Sequence, residues 1–173
     1  AVVLCDGKNL DAWAKKAGKD WLKADGPAKW KLVDGGAVEV VPASDSLISH
    51  QKFGDVRLHA EFRTLGAPTN SGIYFQARYE VDINETYGRT DGNACGNLGN
   101  CTPKGTTPKT RASRAPLEWQ TLDIEFTAPR FDAAGKPAGE LRIVGLFTST
   151  VYTRPTGTIP YLRRKVDAVR ARA

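Results

Sequence analysis

The segment from Asn70 to Glu85 alternates between apolar and polar side chains over most of its length. Its apolar positions are Ile73, Phe75, Ala77, Tyr79, Val81 and Ile83, and the positions between them are Gly72, Tyr74, Gln76, Arg78, Glu80 and Asp82. Because side chains on a β-strand point to opposite faces with a period of two, the pattern predicts one strand with a core face and a polar face. The polar face is rich in groups that bind sugar hydroxyls or act as acids and bases. A plain solvent-facing strand is the alternative.

Two further segments alternate in the same way. The first places Val56, Leu58, Ala60 and Phe62 on one face and Arg57, His59, Glu61 and Arg63 on the other. The second places Gln120, Leu122, Ile124 and Phe126 opposite Trp119, Thr121, Asp123 and Glu125. Many short alternating runs separated by Gly and Pro predict an all-β fold, an antiparallel β-sandwich of the jelly-roll type. We expect a single domain over residues 1–173, with the three polar faces side by side in one concave patch.

Two regions depart from this pattern. Residues 86–116 lack periodicity and are rich in Gly, Asn, Thr and Pro, which predicts a long functional loop. Residues 161–173 follow a proline and carry Leu162, Val166 and Val169 at helical spacing, which favours a short C-terminal helix.

The net charge of +6 is concentrated at one end of the chain. Residues 161–173 contain five Lys or Arg and one Asp, a balance of +4, so +2 remains for the rest. A basic end on a near-neutral body, without a nucleic-acid-binding motif, argues against a nucleic-acid partner. No apolar run approaches the roughly 18 residues that a membrane span requires.

The three cysteines and the first residue bear on the cellular compartment. Because three thiols cannot all pair within one chain, a disulfide between Cys95 and Cys101 would leave Cys5 as a buried thiol. The chain starts at Ala1 and contains no Met, as expected for a product of signal-peptide removal. We therefore expect a secreted or periplasmic protein.

Several segments resemble one known family. The opening Leu4–Trp13 (LCDGKNLDAW) is similar to the LFDGK-L-GW opening of the 3-keto-disaccharide hydrolase family, long described as a domain of unknown function. The other matching segments are Trp30 with Asp34-Gly35, Glu61–Arg63, Asn70–Phe75, Arg78–Val81, Gly96, Glu118–Gln120 and Phe126–Asp132. The resemblance covers about residues 2–143. It implies a concanavalin A-like (lectin/glucanase) sandwich that acts on glycosides whose sugar is oxidised at C3.

The chain departs from this family in two places. Asp82 stands where the family usually has Gln, and residues 144–173 contain neither its His-Asn-Gly turn nor its Leu-Gln-Asp-His-Gly element. Any catalytic group that the family takes from that last region is absent from this sequence.

The implied chemistry selects candidate residues. A C3 ketone makes the C2 proton acidic, so a base can remove it and expel the substituent at C1, helped by a cation near the ketone oxygen. We expect Glu61 or Glu80 as base or acid, Arg63 and Arg78 as electrostatic partners, and a divalent metal as a further candidate. The residues expected to bind the saccharide are His59, Asn70, Tyr74, Gln76, Asp82, Trp119 and Asp123. The alternative for the charged pairs is a cross-strand ladder that only fixes the register.

Two other functions stay open on the sequence. Residues 80–85 (EVDINE) resemble the E-x-D-x-x-E signature of family 16 glycoside hydrolases, with Glu80 as nucleophile and Glu85 as acid/base. That assignment requires a one-residue bulge, which would return Glu85 to the face of Glu80 and Asp82. A non-catalytic, lectin-like module would instead stack Trp119 and Tyr74 on sugar rings.

Overall fold

The computed structural model describes residues 1–92, 94–99, 108, 110–139, 141–148 and 163–168, with the backbone alone for 146–148 and 163–168. Within these residues it contains strands and no helix. The strands are β1 (Val2–Val3), β2 (Trp13–Ala17), β3 (Asp20–Pro27), β4 (Lys31–Val33), β5 (Ala37–Glu39), β6 (Leu47–Ser49), β7 (Val56–Phe62), β8 (Asn70–Phe75), β9 (Tyr79–Asn84), β10 (Gln120–Thr127), β11 (Arg142–Thr148) and β12 (Arg163–Ala168). These residues therefore contain no helix that is long and apolar enough to cross a membrane.

The strands form antiparallel sheets that pack as a sandwich. One sheet has the order β1-β12-β7-β10-β11, and smaller sheets have the orders β3-β2-β6, β4-β5 and β8-β9. The buried core joins the predicted apolar faces of β7 and β10 to those of β8 and β9. The Phe75 and Phe126 rings stack across this core with centroids 4.8 Å apart. The all-β, antiparallel sandwich predicted from alternation is thus confirmed.

The segment 70–85 is a hairpin and not the single strand that was predicted. Gln76 and Ala77 both adopt positive φ, of 51° and 57°, and the Arg78 amide donates to the Phe75 carbonyl at 3.1 Å. Positive φ at both central residues is the geometry of a type I′ turn, which usually carries Asn or Gly. Because Phe75 pairs with Tyr79, the alternation continues across the turn and conceals it.

The predicted C-terminal helix at 161–173 is wrong where the structure describes it. Residues 163–168 form β12, which pairs with β7 on one side and β1 on the other. A strand in this place satisfies backbone groups of both neighbours, and that outweighs a weak helical spacing of three apolar residues.

The loop predicted at 86–116 contains no strand among its described residues. Its segment 94–99 lies along β9 and donates and accepts backbone hydrogen bonds there. Cys95 in this segment carries a free buried thiol, and its expected partner Cys101 lies outside the described residues. Burial raises the pKa of the Cys95 thiol to about 12.

Candidate functional site

The predicted polar faces occupy two sides of the sandwich. β7 and β10 pair so that His59 lies opposite Asp123 and Glu61 opposite Thr121, as the prediction of adjacent polar faces requires. However, both strands turn their apolar face towards the apolar face of the β8–β9 hairpin. The polar faces of the two layers therefore point away from each other, and the prediction of one shared patch is wrong.

The outer face of β7 and β10 carries a ladder of cross-strand contacts. Arg57 Nε lies 3.0 Å from Glu125 Oε1, and His59 Nδ1 lies 2.6 Å from Asp123 Oδ1. The Arg63 guanidinium lies 5.1 Å from the centre of the Trp119 ring. Such contacts fix the register of neighbouring strands. The main cavity of the molecule is not lined by any of the five residues predicted on this face, which are His59, Glu61, Arg63, Trp119 and Asp123.

That cavity has a volume of about 760 Å³, within the range of small-molecule sites. It lies between β8 and the segment 44–54, and Trp21 and Trp30 also line it. Its polar lining includes Asn70, Ser71, Tyr74, Gln76, Glu80, Gln51 and Lys52. Of the residues predicted from sequence, Asn70, Tyr74, Gln76 and Glu80 are brought together here.

Glu80 holds its position because two glycines leave room for its side chain. It pairs with Tyr74 across the hairpin, and its side chain passes over Gly72. A Cβ at Gly72 would overlap Glu80 Oε1 and lie 2.8 Å from Cγ. A Cβ at Gly99 would lie 3.1 Å from Glu80 Oε2 and 2.6 Å from Asp82 Oδ1.

The surroundings of Glu80 favour its neutral form. Burial raises the pKa of the Glu80 carboxyl, and the nearby charge of Asp82 raises it further. A hydrogen bond from the Tyr74 hydroxyl opposes this rise without cancelling it. A carboxyl with a raised pKa in a cleft is the usual setting of an acid–base catalyst.

Asp82 was predicted to bind the saccharide, but it does not line the cavity. It lies next to Glu80 within the protein. Its side chain is buried and accepts a hydrogen bond from Asn97 Nδ2 at 3.0 Å. Its backbone amide donates to the Asn97 carbonyl at 2.8 Å, and its carbonyl accepts from Gly96 at 2.8 Å. Asp82 is therefore absent from the cavity lining, and its charge raises the pKa of Glu80.

Two other predicted residues lie away from the cavity lining. Arg78 is an exposed residue of the hairpin turn. Glu85 accepts hydrogen bonds from the Thr64 hydroxyl and from the Tyr87 amide, the latter at 2.8 Å. The register between β8 and β9 is unbroken from Tyr79 to Asn84, so these residues contain no bulge of the kind that a family 16 site needs.

Comparison with known proteins agrees with this geometry. A family model described as the 3-keto-alpha-glucoside-1,2-lyase-like domain matches residues 1–148. The chain belongs to this family. The crystal structure of a proposed glycosyl hydrolase from Parabacteroides distasonis ATCC 8503 superimposes with a TM-score of 0.70 at 25% identity, over 96% of this chain and 75% of that one. Both results indicate a carbohydrate-active, glycosyl hydrolase-like protein.

A curated relative matches locally. An NAD-specific glutamate dehydrogenase from Halomonas elongata is 48% identical over 58 residues, which are 34% of this chain and 4% of that protein. Because this chain spans so little of that relative, the match carries no functional argument.

For this member of the 3-keto-alpha-glucoside-1,2-lyase-like family, sequence reasoning missed the aromatic wall of the cavity. Trp21 lies on β3 with its ring 4.5 Å from that of Tyr74, and the Lys16 ammonium lies 4.8 Å from the Trp21 ring. The sequence gives only a weak indication of this aromatic wall. It consists of an apolar pair, Trp21-Leu22, within a polar segment that does not alternate.

A divalent metal was a further candidate from the chemistry, and the described part of the chain contains no three-residue site for one. Among those residues, no three His, Cys, Asp or Glu side chains are grouped to hold a metal ion. We therefore assign no metal ligand among these residues.

Proposed function

We propose that the protein cleaves 3-keto-glycosides by elimination across C1 and C2, in the cavity that contains Glu80. The observation that carries this proposal is the raised pKa of Glu80, caused by burial and by Asp82, in a cleft of substrate size. The family match supports the choice of a 3-keto-glucoside as substrate.

The reaction needs one base that can also return a proton. The Glu80 carboxylate removes the C2 proton, which the C3 ketone acidifies, and an enolate forms. The electron pair of the enolate then forms the C1–C2 double bond while the C1–O bond breaks. The electron pair of the C1–O bond leaves with the aglycone oxygen. This oxygen takes the proton from Glu80, which gives an alcohol and an unsaturated 3-keto sugar. Addition of water across the double bond completes a net hydrolysis.

The raised pKa suits both halves of this cycle. An ionised carboxylate with a raised pKa is a stronger base than an ordinary glutamate, and its acid form can return the proton to the aglycone oxygen. Burial also strengthens the interaction of the enolate with nearby donors. We assign Lys52 to the enolate oxygen and the side-chain amides of Asn70 and Gln76 to sugar hydroxyls, since all three line the cavity.

The family relation also supports a saccharide as the ligand, and we propose a secreted or periplasmic location. Fractionation of the source cells tests the location directly. A purely cytoplasmic pool of the protein would contradict it.

The test of the reaction is turnover of 3-keto-trehalose and of 3-keto-α-glucosides, with and without a chelator. We expect the wild type to release the aglycone and Glu80→Gln to lose about 10²- to 10⁴-fold in kcat. Glu125→Gln is the matched control, because Glu125 is an exposed glutamate on the opposite layer that pairs with Arg57. Loss of activity in Glu61→Gln, with Glu80→Gln unaffected, would place the reaction on the other face. Binding without any turnover would instead identify a lectin-like module.

A further inference from the structure

Part of the cavity lining is made of large apolar side chains, and we call this part the apolar wall. Its residues are Trp21, Leu22, Trp30, Val40 and Phe53. Leu22 is 78% exposed and Val40 is 48% exposed, although both are large apolar side chains. Exposed apolar groups at the edge of a polar cavity gain free energy when an apolar ligand covers them.

A second sugar fits this wall poorly. Leu22 and Val40 offer no hydrogen bond, so a sugar hydroxyl placed against them would lose water without gaining a partner. The Trp21 ring already contacts Tyr74 and the Lys16 ammonium, which limits its use as a flat stacking surface for a pyranose. An apolar ring needs neither a hydrogen-bond partner nor a free indole face.

We propose that this wall is a subsite for an aromatic aglycone. The preferred substrates are then glycosides of phenols and not disaccharides. The proposal rests on the proposed function for the placement of the sugar beside Glu80. With the sugar there, we place the group that leaves from C1 against Trp21, Leu22 and Val40, which line the same cavity. A phenol is also a better leaving group than a sugar hydroxyl, which helps a reaction that expels an oxygen anion.

The subsite is tested by binding, separately from cleavage. Phenyl α-glucoside, methyl α-glucoside and trehalose lack the C3 ketone, so they bind without eliminating, and calorimetry measures their affinities. We expect phenyl α-glucoside to bind about 10- to 100-fold more tightly than methyl α-glucoside, the range for burying one aromatic ring. Trehalose should bind no more tightly than the methyl glycoside.

Two variants locate the effect. The double variant Leu22→Ser/Val40→Ser should reduce the phenyl preference to below about threefold while leaving the affinity for the methyl glycoside unchanged. Leu65→Ser is the control, because Leu65 is 53% exposed and does not line the cavity. All three positions are exposed, so these substitutions preserve the fold.

The outcomes separate this inference from the proposed function. A phenyl preference that depends on Leu22 and Val40, without turnover of any 3-keto-glycoside, keeps the subsite and refutes the reaction. Turnover without a phenyl preference keeps the reaction and refutes the subsite. Tighter binding of trehalose, a preference unchanged in the double variant, or no binding of any of the three glycosides overturns the proposal.

Discussion

Gly72→Ala tests whether the position of Glu80 controls activity. The new Cβ would lie 2.8 Å from Glu80 Cγ and 3.0 Å from Cδ. Ordinary contacts between carbon atoms are about 3.5–4.0 Å, so the Glu80 side chain must retreat by about 1 Å. Because the obstructed group is a flexible side chain and not the backbone, we expect the protein to accept the methyl group by moving the carboxyl.

The expected magnitudes differ for activity and stability. A displacement of about 1 Å at a reacting group costs about 10²-fold in rate, so kcat/KM for a 3-keto-α-glucoside should fall by that factor. Alanine favours a strand over glycine by about 0.5–1 kcal/mol, whereas forcing Glu80 off its rotamer costs about 0.5–1.5 kcal/mol. The free energy of unfolding should therefore change by less than about 1 kcal/mol, as urea denaturation would show.

A matched substitution isolates the effect of crowding. Gly145 also lies in a strand, β11, and among the described residues a Cβ there would meet Asp123 O at 3.9 Å and Leu122 Cδ1 at 4.0 Å, which are ordinary contact distances. Gly145→Ala should leave kcat/KM unchanged and stabilise the protein slightly. If Gly72→Ala keeps kcat/KM within about threefold of wild type, the reasoning that makes Glu80 the base is refuted.

Three further predictions concern the carboxyl pair, the turn and the thiol. Asp82→Asn removes a charge that raises the pKa of Glu80, so the pKa of Glu80 should fall. The acid limb of the pH profile of kcat/KM should then move to lower pH. An unmoved limb would contradict the coupling between the two carboxyl groups. Gln76→Asn with Ala77→Gly places favoured residues at two positive φ angles and should raise the free energy of unfolding by about 1 kcal/mol in urea titration; a decrease would argue against the type I′ turn. Cys95 has a pKa of about 12, so the ionised fraction of its thiol at pH 8 should be about 10⁻⁴. Iodoacetamide should therefore label Cys95 only after unfolding. Labelling of the native protein, read by mass spectrometry, would show an accessible thiol.

The strands of the core were predictable because burial imposes a period of two. Each apolar position assigned to the inner face of β7, from Val56 to Phe62, is buried. The type I′ turn was not predictable, since Gln76 and Ala77 lack the usual turn residues and the hairpin preserves the alternation. The tertiary pairing of β12 also has no local signal, because its neighbours β1 and β7 lie far away in the sequence.

The sequence predicted only part of the candidate site, because alternation alone does not specify the tertiary arrangement of the strands. Alternation identifies which face of a strand is polar, but a sandwich has two outer faces, and the pattern does not say which layer a strand joins. Tyr74 and Glu80 were predicted to share a polar face, but on one continuous strand they would lie about 20 Å apart. The hairpin is what places them opposite each other. Glu61 and Arg63 were placed beside them although they belong to the opposite layer.

The chemistry of Glu80 depends on a segment that has no periodic pattern. Gly99 donates its backbone amide to the Glu80 carbonyl at 3.1 Å, and the same segment hydrogen-bonds Asp82 through Gly96 and Asn97. These contacts cover the edge of β9 and keep Asp82 buried next to Glu80, and both effects raise the pKa of Glu80. A strand with the same alternation but an uncovered edge would hold an ordinary, solvated glutamate. The irregular segment 94–99 therefore maintains the surroundings that raise the pKa of Glu80.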